Sequence, residues 1–115
     1  NGLAFHPNGE RLYLAETGTN RLLSYAVDQD GLLEDKQLEI QFPSDTLDGI
    51  AFDQFCNLWV ARWTNGTIDI VDLASKSILK SYILGERVTN LCWLNQDLYV
   101  TIAGDGTIVR IPVWE

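Results

Sequence analysis

The chain has 115 residues, 46% of them hydrophobic and 10% aromatic, which is enough apolar material for one packed domain or part of one, and too much for a disordered tail. Eight basic against sixteen acidic side chains leave a net charge of −8, a field that repels nucleic-acid phosphates and anionic lipid headgroups, so neither is expected as a partner. The longest apolar runs, such as Leu91-Cys92-Trp93-Leu94, fall far short of the roughly 18 residues of a spanning helix.

In chain order, Asn1-Gly2-Leu3-Ala4-Phe5 reads as a strand. The natural N-terminus is therefore expected upstream of Asn1, and no signal peptide is visible. A soluble protein is expected, with the cytoplasm favoured as its location. His6-Pro7-Asn8-Gly9-Glu10 follows as a tight reversal, its proline presetting φ and its Asn-Gly pair tolerating positive φ. Strands are predicted at Leu12-Tyr13-Leu14-Ala15, at Asn20-Arg21-Leu22-Leu23 and over 33–40, the last after a solvated hairpin turn at Asp28-Gln29-Asp30-Gly31. The same order recurs: Asp48-Gly49-Ile50-Ala51-Phe52, Leu58-Trp59-Val60-Ala61, the Asn65-Gly66 turn, the alternating Thr67-Ile68-Asp69-Ile70, and 77–84. A third round runs through Thr89-Asn90-Leu91-Cys92-Trp93, Leu98-Tyr99-Val100-Thr101 and Gly106-Thr107-Ile108-Val109 and ends at Ile111-Pro112-Val113-Trp114-Glu115.

The three Leu-aromatic-aliphatic segments begin at Leu12, Leu58 and Leu98, spacings of 46 and 40 residues. About eleven strands and no helix are counted. Four-stranded antiparallel units repeating at this period, each covered by copies of itself, define β-propeller blades. The second strand of each unit is nearly apolar, as expected where both faces are covered. The fold class is all-β, with about three blades at 1–42, 43–86 and 87–115. Closed propellers generally have about four to eight blades, so the chain is expected to be half of a six-bladed ring.

Cys56 and Cys92 stand 36 positions apart in apolar contexts, without metal-ligand spacing, and are expected to be buried free thiols. His6 has no second His or Cys partner and is assigned to surface structure. Trp59, Trp63, Trp93 and Trp114 offer stacking surfaces for a sugar, with packing between blades as the default.

The run from Asn1 to Arg21, the Leu47-Asp48-Gly49-Ile50-Ala51-Phe52-Asp53 segment with Asn57-Leu58-Trp59-Val60-Ala61, and Val88-Thr89-Asn90 with Leu98-Tyr99-Val100-Thr101 together resemble the gluconolactonase and regucalcin family of six-bladed propellers. The resemblance corresponds to the C-terminal half of that domain. It implies a divalent cation in the central channel, held by Asn1 at the Asn-Gly-Leu position and Asp48 at the Asp-Gly-Ile position. It also implies that Asp48 helps activate water for hydrolysis of a sugar-type lactone. The family's Glu ligand, second Asn and substrate-orienting Arg belong to the other half of its domain.

The residues themselves support such a convergence, because the innermost strands of adjacent blades line one channel. Asn and Asp oxygens are hard donors, suited to calcium, magnesium or manganese more than to copper or thiolate-held zinc; calcium is the ion expected, with magnesium, manganese or zinc as alternatives. A His-rich zinc site is excluded by the single His. Asp48 has a second reading as a turn residue bonding its own backbone. Thr89 and Asn90 occupy the equivalent place in the third blade, as channel or substrate contacts or as strand-entry hydrogen bonds. Three functions follow as expectations: a lactonase completed by its other half, a homodimeric six-bladed ring that binds a metal or ligand without catalysis, or a structural module.

Overall fold

The computed structural model describes residues 1–43 and 46–113, and its strands follow the alternation of β-branched, aromatic and polar residues between turn clusters. Blade 1 contains β1 (Leu3–Phe5), β2 (Arg11–Glu16), β3 (Arg21–Val27) and β4 (Leu33–Gln41). Blade 2 contains β5 (Leu47–Phe52), β6 (Leu58–Arg62), β7 (Thr67–Asp72) and β8 (Ser77–Ile83). Blade 3 contains β9 (Val88–Leu94), β10 (Asp97–Ile102) and β11 (Thr107–Pro112). Each sheet is an antiparallel meander in sequence order. A 3-10 turn, Thr17–Thr19, joins β2 to β3. The third sheet has three strands among the described residues rather than four; Trp114 and Glu115, the expected end of the third unit, lie outside them.

The turns form as their residues dictate. Asn8 Oδ1 accepts the Glu10 amide at 2.9 Å in the reversal between β1 and β2. Asp28 Oδ1 accepts the amides of Asp30 and Leu32, each at 2.9 Å, so its carboxylate serves the hairpin turn. His6 is half-buried, edge-on to Phe52 of blade 2 with ring centroids 5.1 Å apart, so it links two blades rather than lying on the surface.

Two hydrophobic layers hold the blades together. Tyr13, Ala15 and Leu22 of blade 1 meet Leu47, Leu58, Val60 and Val71 of blade 2. Trp59, Ala61 and Ile68 on the other side of blade 2 meet Leu91, Leu98 and Val100 of blade 3. Among the described residues only blade 2 is covered on both faces, and β6 is buried at every position. The second strands of blades 1 and 3 instead alternate between buried and half-buried residues, because their far faces are bare. On the bare face of blade 1 the register row Leu3, Leu14, Leu23, Leu38 runs across all four strands.

Both cysteines are exposed, contrary to the sequence expectation of burial. Cys56 sits in the β5–β6 turn at φ +65°. Cys92 points to the bare side of β9, opposite in direction to its buried neighbour Leu91.

Candidate functional site

The inner strands β1, β5 and β9 lie side by side, and their N-terminal ends bring the predicted site residues together. The Gly2 amide donates to the Asp48 carbonyl at 3.1 Å, joining β1 to β5. A Cβ on Gly2 would stand 2.8 Å from the Ile50 nitrogen, and a Cβ on Gly49 would stand 2.8 Å from the Asn90 Cα. Real Cβ atoms do not approach backbone so closely, so glycine at these two positions is what lets the inner strands close on one another. Asn1, Asp48 and Thr89, each one residue before these contact points, consequently fall at equivalent positions on three adjacent strands.

Asp48 is half-buried, and no described residue donates a hydrogen bond to its carboxylate. Its expected alternative, a turn carboxylate bonded to its own backbone, is not what the structure displays. Burial raises the Asp48 pKa above the ordinary carboxylate value. The sign follows directly: the ionised carboxylate costs stability above that raised pKa, and the cost disappears as pH falls to the usual carboxylate range. A positive charge brought to Asp48 would relieve it.

Asn1 is exposed, and its backbone nitrogen donates to the Ala15 carbonyl at 2.6 Å, which ties it to β2. Thr89 Oγ1 lies 2.6 Å from Thr101 Oγ1 and 3.2 Å from the Thr101 carbonyl. Asn90 Oδ1 accepts the Leu91 amide at 2.9 Å. The local hydrogen-bonding reading of Thr89 and Asn90 thus has its partners, and both lie near the N-terminal end of β9.

Asn1 and Asp48 supply hard oxygen donors, and a desolvated carboxylate without a donor suits a hard divalent cation. Among the described residues no group of three His, Cys, Asp or Glu side chains converges on a cation position.

Three polar features were not recognised in the sequence. Asp53 is buried and organises the β5–β6 turn, accepting the amides of Phe55 and Asn57 at 2.8 and 3.0 Å and the Trp59 indole N–H at 2.7 Å. Its spacing to Asn57 was the available signal. Arg62 and Asp69 form a buried ion pair at 2.8 Å, with the guanidinium 4.7 Å from the centre of the Phe42 ring. Trp63, Thr64, Glu86 and Arg87 line a cleft of about 310 Å³ at the end of the blades where the inner strands begin.

The sequence profile of the family described as "SMP-30/Gluconolactonase/LRE-like region" matches residues 1–104. The chain belongs to this family. It is 30% identical over 113 residues to the pentonolactonase XacC of Haloferax volcanii, a match covering 92% of this chain and 39% of that protein. Among solved structures, regucalcin from Agrobacterium tumefaciens, described as a calcium-binding protein, superposes with a TM-score of 0.86 at 23% identity, over 98% of this chain and 45% of its own. The gluconolactonase XC5397 from Xanthomonas campestris superposes with a TM-score of 0.81 at 25% identity, over 99% of this chain and 37% of its own. The chain thus spans less than half the length of these relatives. The fold expectation of all-β propeller blades and the family resemblance both hold.

Proposed function

We propose that this chain carries the C-terminal half of a divalent-cation-dependent hydrolase of sugar-type lactones, with Asn1 and Asp48 as cation ligands and Asp48 also acting on the attacking water. The observation that carries this reading is the Asp48 carboxylate: half-buried at the channel end of β5, raised in pKa and without a hydrogen-bond donor among the described residues. Family membership and the pentonolactonase and gluconolactonase relatives support the reaction class. The calcium-binding description of the regucalcin neighbour supports the choice of calcium, with magnesium, manganese or zinc as alternatives.

When bound, the cation supplies Lewis acidity toward a lactone carbonyl and toward water. The chain's own residues do the rest. Asn1 contributes a neutral oxygen and Asp48 a charged one, a donor pair that keeps the site selective for hard ions. Gly2 and Gly49 set the close strand approach on which the pair depends.

The second reading is a homodimeric ring in which two copies cover each other's bare blade faces and bind a ligand without catalysis. The apolar residues exposed on blades 1 and 3, including Phe5 and Leu94, favour it.

The test is hydrolysis of aldonolactones by the intact protein, followed as acid release with and without calcium. Asp48→Asn is expected to reduce kcat at least 100-fold and to abolish calcium binding in a titration, while circular dichroism stays unchanged. Chelation is expected to silence the wild type, and added calcium to restore it. Undiminished hydrolysis by Asp48→Asn would remove the proposal.

A further inference from the structure

The chain has five arginines, and four are paired with carboxylates: Arg11 with Asp35, Arg21 with Glu16, Arg62 with Asp69 and Arg110 with Asp97. Arg87 is the exception. It is exposed, and no described residue forms an ion pair or hydrogen bond with its guanidinium. Its backbone is in the left-handed region at φ +60°, a conformation that costs a non-glycine residue energy and persists only when neighbouring structure holds it. The holding bonds are present: the Ala103 amide donates to the Arg87 carbonyl at 2.8 Å, and the Gly104 amide donates to the Glu86 carbonyl at 3.0 Å. The segment is thereby clamped to the β10–β11 turn.

Trp63 lines the same cleft as Arg87. Trp59 is 1% exposed and stacks on Tyr82, and Trp93 packs edge-on against Trp59, whereas Trp63 is 37% exposed. The Trp63 amide donates to the Thr46 carbonyl at 2.9 Å, so this residue is tied to the segment two positions before Asp48. Arg87 lies two positions before Thr89 in the same way. The cleft therefore opens at the same end of the blades as Asp48. Its volume of about 310 Å³ is at the small end of ligand clefts, the scale of a single sugar ring.

We propose that the Trp63–Thr64–Glu86–Arg87 cleft is a subsite for an anionic substituent, a carboxylate or a phosphate, carried on a sugar-type ring. The Trp63 indole offers an apolar face to the ring's C–H groups, the Arg87 fork takes the anion, and Thr64 and Glu86 take ring hydroxyls. Against a net charge of −8, an anion is held only where a cation is locally unpaired. Glu86 beside Arg87 tilts the site toward ligands that offer hydroxyls as well as charge. The proposal rests on the lactonase reading for its biological setting: the preferred lactone would carry an acidic group remote from its ester, making Arg87 a specificity-determining residue.

The test needs neither turnover nor metal, so its outcome is separable from that of the lactonase reading. Glucose, glucuronate and glucose 6-phosphate share one ring and differ at a single carbon. Their binding to the intact protein is measured by titration calorimetry and by the Trp63 indole resonance in NMR, in chelator at 0.15 M salt. Glucuronate or glucose 6-phosphate is expected to bind at least tenfold more tightly than glucose, and which of the two does so identifies the anion. Arg87→Gln is expected to erase that preference, Arg87→Lys to keep part of it, and Arg110→Gln, which removes an equal charge elsewhere, to leave it intact. Equal binding of the three sugars, binding of none, or a preference that survives Arg87→Gln would overturn the proposal.

Discussion

Gly2 and Gly49 stand where any side chain would strike the next inner strand. Gly49→Ala would force Cβ to within 2.8 Å of the Asn90 Cα, a backbone atom that no rotamer change can move aside. The expected loss is about 2–3 kcal/mol in urea unfolding. Gly18→Ala, with open space around its Cβ position and no positive φ, is expected to stay within about 0.5 kcal/mol of wild type. The Asn1-Gly2 and Asp48-Gly49 pairs were legible in the sequence as equivalent positions of a repeat. The reason for glycine was not legible, because it lies in backbone from a different blade. Arg87 and Trp63 were opaque for a similar reason. Nothing in the sequence distinguishes an arginine that has found a carboxylate from one that has not, or an exposed tryptophan from a packed one.

Among the strands, β7 differs most from its reading. The alternation of Ile68, Asp69 and Ile70 suggests one polar face toward water, yet Asp69 is fully buried against blade 1 and paired with Arg62. Burying both partners makes the pair asymmetric in its energetics: removing one leaves the other charge desolvated, whereas replacing both leaves an apolar layer. Asp69→Ala is therefore expected to lose about 3–5 kcal/mol. The double variant Asp69→Leu with Arg62→Met is expected to be clearly more stable than that single variant, with urea midpoints as the measure. The hairpin turns, by contrast, were legible residue by residue. Asn8 and Asp28 bond amides two to four positions away, an interaction whose partners lie within the local sequence.

For the molecule as a whole, the outer faces decide the behaviour. Blade 1 exposes Leu3 and Phe5, and blade 3 exposes Leu94 and Ile108, apolar areas of the kind that mark interaction surfaces. The residues 1–115 on their own are expected to associate, giving by light scattering at least twice the mass of one chain. Leu3→Asp combined with Ile108→Asp is expected to return the single-chain mass. A wild-type monomer at high concentration would argue against closure of the ring through these faces. Asn90 constrains any blade that packs on the bare side of blade 3, since it occupies the place that Gly2 and Gly49 hold in the other inner strands. A further inner strand must pass β9 at a greater distance than β9 passes β5, or displace the Asn90 side chain.

The sequence by itself determined the number and order of the strands, their grouping into repeating blades, the family, and the register that aligns Asn1, Asp48 and Thr89. These follow from two-residue alternation and local turn chemistry, which act over a few positions and repeat with the blade. Only the tertiary structure decided which faces are covered, and with them the exposure of Cys56 and Cys92, the burial of Asp69, the desolvation of Asp48 and the freedom of Arg87. Burial and charge pairing are properties of neighbours brought together from different blades, and the identity of those neighbours is set by how the sheets pack.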